Sequence, residues 1–143
     1  MAYFPVFINI ENFKVVIVGA GKIAARRINM LKNFGADITV ITKEVKSEIS
    51  NVNIIIKEFN KEDIKNCDMV IAATDNQEVN KNVIETAKNA GIKYYNNAAD
   101  KSDNNFYFPA VIENNDIICG LISKEGINHK NAKDYAEKLR KIL

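Results

Sequence analysis

Apolar positions along this 143-residue chain fall into two alternating rhythms. Short, largely β-branched runs stand at 14–18 (KVVIV), 37–42 (DITVIT), 53–56 (NIII) and 68–73 (DMVIAA). After the first run, Ala24, Ile28, Leu31 and Phe34 recur at helical spacing; after the fourth, Val79, Val83, Ile84 and Ala87 do the same. Gly35 and Gly91 are placed to stop the two helices. Strands alternating with helices predict a parallel sheet. A short charged helix is expected near 61–66, and Asp75 with Glu78 is spaced as a capping box for the longer helix. Ahead of the central strand, 7–10 reads as a strand joined to it through Glu11, Asn12 and Phe13, so an N-terminal hairpin is predicted. A strand at 93–96 precedes a polar loop at 97–105. Beyond it the rhythm changes: strands at 106–112 and 116–122 need not be parallel, and an amphipathic helix follows at 131–143.

The first strand runs into Gly19-Ala20-Gly21 and then directly into a helix. That arrangement suits a dinucleotide. The first glycine permits a sharp turn, the second lets backbone N–H groups approach a pyrophosphate, and small Ala24 lets the helix pack closely on the strand. The helix N-terminus adds partial positive charge. We therefore expect an α/β, Rossmann-like doubly wound and mainly parallel sheet, with the hairpin strand at its start and the late strands and helix at its end. In such sheets ligands bind where the strand order reverses, so the loops at 19–23, 42–44 and 73–76 should converge. An acid that selects NAD is expected about 20 residues after the glycines. Thr42-Lys43-Glu44 stands there: Thr42 is no acid, Glu44 can reach from the loop, and Lys43 can receive a 2′-phosphate. NAD is favoured slightly and NADP stays open. Small Ala72 and Ala73 admit a flat ring or ribose, with the Thr74 hydroxyl at hand, although 72–75 can equally serve packing and capping.

Length then limits the design. The chain can bury one core and has little room for a second, so we expect a single domain over 1–143, with about 106–143 as a substrate-side or dimerisation extension. A substrate site this economical borrows a wall from a partner subunit or from the C-terminal segment, which predicts a homodimer. The net charge of +2 is spread along the chain and argues little for nucleic acid. Cys67 and Cys119 lack metal-ligand spacing, and no metal ligands are assigned. Neither a signal peptide nor a membrane span is expected, and a cytoplasmic location follows. His129, the sole histidine, is more readily a surface residue than a ligand.

Three motifs in order, PVFINIENFKVVIVGAGKIAARR, VIAATDNQEVN and NNAADKSDNNFYFPAVI, make the chain resemble the precorrin-2 dehydrogenase family, which includes the dehydrogenase module of siroheme synthases. The match is collinear over about 4–123. The resemblance implies NAD-dependent oxidation of precorrin-2 to sirohydrochlorin in siroheme or cobalamin biosynthesis, by a homodimer. Some members also insert iron or cobalt. It places nucleotide contacts on Gly19, Gly21, Lys22, Ile23, Lys43, Glu44, Thr74 and Asp75, and the active-site aspartate on Asp100. A carboxylate there can take the proton lost as hydride leaves the macrocycle. Asp103 is a rival for that role. The implied substrate carries eight carboxylates, for which Arg26, Arg27, Lys124, Lys130 and Lys133 are available. The helix that carries the last two also bears an apolar stripe, Ala132, Tyr135, Ala136, Leu139 and Ile142, expected to close the substrate cleft or the dimer.

One loop departs from the family. Where members commonly have a glycine pair and then Ser-Pro after Ser123, this chain reads Lys124-Glu125-Gly126-Ile127-Asn128-His129. Two other functions therefore stand beside the dehydrogenase: a sirohydrochlorin chelatase on the same fold, and a non-catalytic NAD(H)-sensing module.

Overall fold

The computed structural model describes residues 3–124 and 128–143. The chain divides into two compact units, Val6–Phe106 and the described residues that flank it.

Val6–Phe106 holds a five-stranded parallel sheet. Strands β1 (Lys14–Val18), β2 (Asp37–Thr42), β3 (Asn53–Ile56), β4 (Met69–Ala72) and β5 (Tyr94–Asn97) lie in the order β3-β2-β1-β4-β5. β1 pairs with β2 from Lys14 opposite Asp37 to Val18 opposite Ile41, and with β4 from Val15 opposite Met69 to Val18 opposite Ala72. Helix α1 (Lys22–Lys32) leads from β1 to β2, and α2 (Gln77–Asn89) leads from β4 to β5. The two connections travel in opposite directions across the sheet. Right-handed crossovers therefore put the helices on opposite faces, and strand order reverses between β1 and β4.

Burial follows from this layering. β4, with a strand on each edge and α2 packed against it, is buried at all four residues. Val16, Val18, Val70 and Ala72 pack with Val83, Ile84 and Ala87 of α2, while Ala24, Ile28 and Leu31 are the buried positions of α1, which packs against β1 and β2. Gly35 and Gly91 take φ of +81° and +71° just past the helices they end.

The predicted hairpin does not form. β1 already has β2 on one edge and β4 on the other, so neither edge is left for residues 7–10. The turn itself survives, with the Phe13 N–H donating to Ile10 O at 3.0 Å and Asn12 at φ +63°, but Phe7 and Ile8 stay outside any strand and exposed. The cap of α2 also shifts by one residue. Asn76, not Asp75, accepts the Glu78 and Val79 N–H groups. The charged helix near 61–66 is a single 3-10 turn, Lys61–Ile64, with a capping box of its own between Asn60 and Asp63.

In the flanking unit, β6 (Ala110–Glu113) and β7 (Ile118–Leu121) form an antiparallel pair, and α3 (His129–Ile142) packs against β6. Ala136 is its buried residue, whereas Tyr135 and Ile142 of the predicted stripe are exposed.

Candidate functional site

All five parallel strands end at one edge of the sheet, and a cleft of about 290 Å³ opens there. Its walls come from the loops after β1, β2, β3 and β4. Gly19 shapes the first of them. It holds φ at +115°, and a Cβ on it would stand 2.2 Å from Ala73 O, so the turn after β1 is pressed against the end of β4. Gly21 is different: its φ is −89° and a Cβ would meet nothing within 4 Å. Space lies in front of it.

The two helices that begin at this edge differ in how their first N–H groups are satisfied. α2 has the Asn76 side chain as cap and Glu78 in its first turn. α1 has neither; Gly21 supplies no side-chain cap and the first turn contains no acid. A helix start left open beside a glycine with free space in front is a ready anion site, to which a diphosphate can bring the missing acceptors. The residues present therefore fit a dinucleotide.

The remaining walls are held by side chains. The Thr42 hydroxyl donates to Glu44 O at 2.7 Å, which fixes the loop after β2, and the Lys46 N–H donates to Ala20 O at 3.1 Å. Each lysine that lines the cleft is ion-paired: Lys43 with Glu58 at 3.3 Å, Lys46 with Asp75 at 3.0 Å, and Lys57 with Asp63 at 2.6 Å. Hydrogen bonding to Lys46 lowers the Asp75 pKa and raises that of Lys46 in return. Asn80, buried at 1% exposure, fixes the loop after β4. Its Oδ1 accepts from the Thr74 N–H (3.0 Å) and hydroxyl (2.7 Å), and its Nδ2 donates to Thr74 O (3.1 Å).

The structure thus gathers Gly19, Gly21, Lys43, Glu44, Thr74 and Asp75 around the cleft. Lys22 and Ile23 open α1 just beyond the lining residues. Asp100 lies outside the lining but at the same sheet edge, after β5, where the Ala98 N–H donates to Ala72 O at 2.9 Å. Its carboxylate accepts from the Ser102 hydroxyl (2.6 Å) and N–H (3.0 Å), which hold its pKa below the usual carboxylate range. Asp103, the rival, is paired with Lys88 at 3.2 Å. Of the two arginines on α1, Arg26 is exposed, while burial, helped by Arg26, lowers the Arg27 pKa to about 10. Lys124, Lys130 and Lys133 are exposed, and in the departing loop Glu125, Gly126 and Ile127 lie outside the described residues. Asn80, Lys46, Lys57 and Glu58 were not singled out from sequence. The available signal for Asn80 was a polar residue beside Val79, Val83 and Ile84 on the apolar face of α2.

A parallel sheet that reverses at β1 and β4, with a glycine turn opening onto an uncapped helix, defines a dinucleotide-binding domain of Rossmann type. The family described as putative NAD(P)-binding matches residues 6–110. The chain is 32% identical to the precorrin-2 dehydrogenase of Bacillus subtilis over 97% of its own length and 88% of that protein's. It is 40% identical to the probable multifunctional siroheme biosynthesis protein HemA of Ruminiclostridium josui, across 97% of this chain and 28% of that one. Among solved structures, SirC, a precorrin-2 dehydrogenase, superposes with a TM-score of 0.80 at 29% identity, covering 99% of this chain and 71% of that one. The chain belongs to the precorrin-2 dehydrogenase family. It spans about three tenths of the length of the first curated relatives it matches.

Proposed function

We propose that this chain oxidises precorrin-2 to sirohydrochlorin, as a cytoplasmic homodimer that uses NAD. The observation that carries the reading is the placement, at one sheet edge, of an open helix start beside Gly21 and of a carboxylate, Asp100, on the loop after β5. Bound in the cleft, the nicotinamide supplies a hydride acceptor. The chain's own part is to bind, to orient and to take up a proton. The N–H groups at the start of α1 hold the diphosphate, and the loops fixed by Thr42 and Asn80 hold the nucleoside walls. Glu44 is the carboxylate for the ribose hydroxyls. Because each cleft lysine already faces a carboxylate, a 2′-phosphate gains less here, which favours NAD over NADP.

Oxidation removes one hydride and one proton from the macrocycle. Asp100, kept ionised by Ser102, accepts the proton. The unit that flanks Val6–Phe106 supplies the dimer contact, through exposed Ile117 and Ile118 on the β7 side and Tyr135 and Ile142 on α3. Free Cys67 and Cys119 suit a reducing compartment, and no helix among the described residues is long and apolar enough to cross a membrane.

The test is anaerobic turnover of freshly made precorrin-2, reading NADH and sirohydrochlorin together, with NADP and with no nucleotide in parallel. Equal yields of both products with NAD are expected. Bound NAD without oxidation would overturn the reading and favour a sensor, whereas metal-dependent consumption of sirohydrochlorin without NAD would favour a chelatase.

A further inference from the structure

β5 is an edge strand, and an edge strand presents backbone N–H and C=O groups with no neighbouring strand to meet them. Two consecutive asparagines meet them here. The Asn105 side chain donates to Lys93 O at 2.8 Å and accepts the Tyr95 N–H at 3.0 Å, and its own N–H donates to Tyr95 O at 3.3 Å. The Asn104 side chain accepts the Asn97 N–H. Asn96 completes the seam by donating to Phe106 O at 3.0 Å.

The chain between these anchors carries Asp100, and it hangs from Asn97. The Asn97 side chain accepts the Ala99 N–H at 3.0 Å, and the Asn97 backbone carbonyl accepts the Asp100 N–H at 3.4 Å. On the far side the Asn104 N–H donates to Lys101 O at 3.2 Å, which closes the turn. Asn97 is 2% exposed, so its N–H depends on a partner from the protein. Asn104 supplies that partner, and so couples the end of β5 to both ends of the Asp100 turn.

We propose that Asn104 is the positioning residue for Asp100: by clamping the Asn97 N–H it sets where the carboxylate stands at the sheet edge, with Asn105 anchoring the same seam. This rests on the reading of Asp100 given above. Removing the acceptor leaves the Asn97 N–H unpaired and the turn free to shift, and a displacement of about 1 Å at a reacting group can cost on the order of a hundredfold in rate.

The experiment compares Asn104→Ala, Asn104→Asp, Asp100→Asn and the Asp100→Asn/Asn104→Ala double variant for kcat, NAD KM and NAD affinity. Asn104→Ala should lower kcat by roughly tenfold or more with NAD affinity unchanged. Asn104→Asp keeps an oxygen in place and should recover most of the rate. The double variant should be no slower than Asp100→Asn alone. A normal rate in Asn104→Ala beside a slow Asp100→Asn overturns the clamp and leaves Asp100 standing; a normal rate in Asp100→Asn overturns the role of Asp100 itself. A further loss in the double variant, equal to that in the single one, also overturns the clamp, since Asn104 would then act on the fold at large. Should Asn104→Ala not fold, Asn104→Gln, which moves the amide by one methylene, takes its place with the same expected loss.

Discussion

At the residue scale, the two glycines of the turn do different work, and substitution separates them. Gly19→Ala forces a Cβ to within 2.2 Å of Ala73 O at a φ of +115°, so it should destabilise the protein by about 2–4 kcal/mol. Gly21→Ala meets no protein atom within 4 Å and should leave the urea midpoint almost unmoved while weakening NAD, because its methyl enters the space proposed for the diphosphate. Denaturation and NAD titration on both variants check this; equal loss of stability would mean that the open space at Gly21 is not a ligand's. The sequence motif identified both positions, but it carried no sign that the first glycine answers to Ala73, because that contact joins the ends of two strands far apart in the chain. Ser102 provides a pH test. Its hydrogen bonds lower the Asp100 pKa, so the ionised form persists down to a lower pH and is lost as pH falls through that lowered value. Ser102→Ala should therefore move the acidic limb of kcat/KM to higher pH, towards the ordinary carboxylate range. An unmoved limb would separate Asp100 from the titrating step.

At the scale of elements, β1 and β2 have the bounds that their apolar runs predict, because a buried parallel strand is written as a nearly continuous apolar stretch, and β3 keeps its predicted bounds although, as an edge strand, it is mostly exposed. The mistaken hairpin has the opposite cause. Residues 7–10 have strand composition, but pairing is decided by which edges are free, and β1 has none. The late strands are shorter than their apolar runs for a related reason: only Ala110–Glu113 and Ile118–Leu121 find cross-strand partners. A helix face can also conceal function. Asn80 sits among Val79, Val83 and Ile84 on the apolar side of α2, yet it fixes both the N–H and the carbonyl of Thr74 at the cleft. Asn80→Ala leaves those groups without their partner and should cost about 1–3 kcal/mol. It should also weaken NAD by several-fold, since the wall carrying Thr74 and Asp75 is released. Urea unfolding with and without NAD distinguishes the two effects: a loss of stability with unchanged NAD affinity would make Asn80 a core residue only.

At the scale of the whole molecule, the cleft and the proposed dimer contact fall in different compact units. Every residue lining the cleft belongs to Val6–Phe106, where the alternation of strand and helix had made the fold legible. The flanking unit was less legible because a small antiparallel pair and one helix cannot bury all their apolar residues among themselves. Composition shows that Tyr135 and Ile142 are apolar, but not that they remain 62% and 78% exposed after α3 has packed on β6. If these side chains meet a second copy, charge placed on them should separate the copies without touching the nucleotide. Tyr135→Glu/Ile142→Glu is therefore expected to halve the mass seen by light scattering and to leave NAD affinity within about twofold, since the substitutions lie outside the cleft-bearing unit. Turnover of precorrin-2 in the same variant then decides whether the substrate site needs both copies. Full activity as a monomer would show that the second copy contributes no wall, and an unchanged mass would remove Tyr135 and Ile142 from the dimer contact and leave exposed Ile117 and Ile118 as its remaining proposed part.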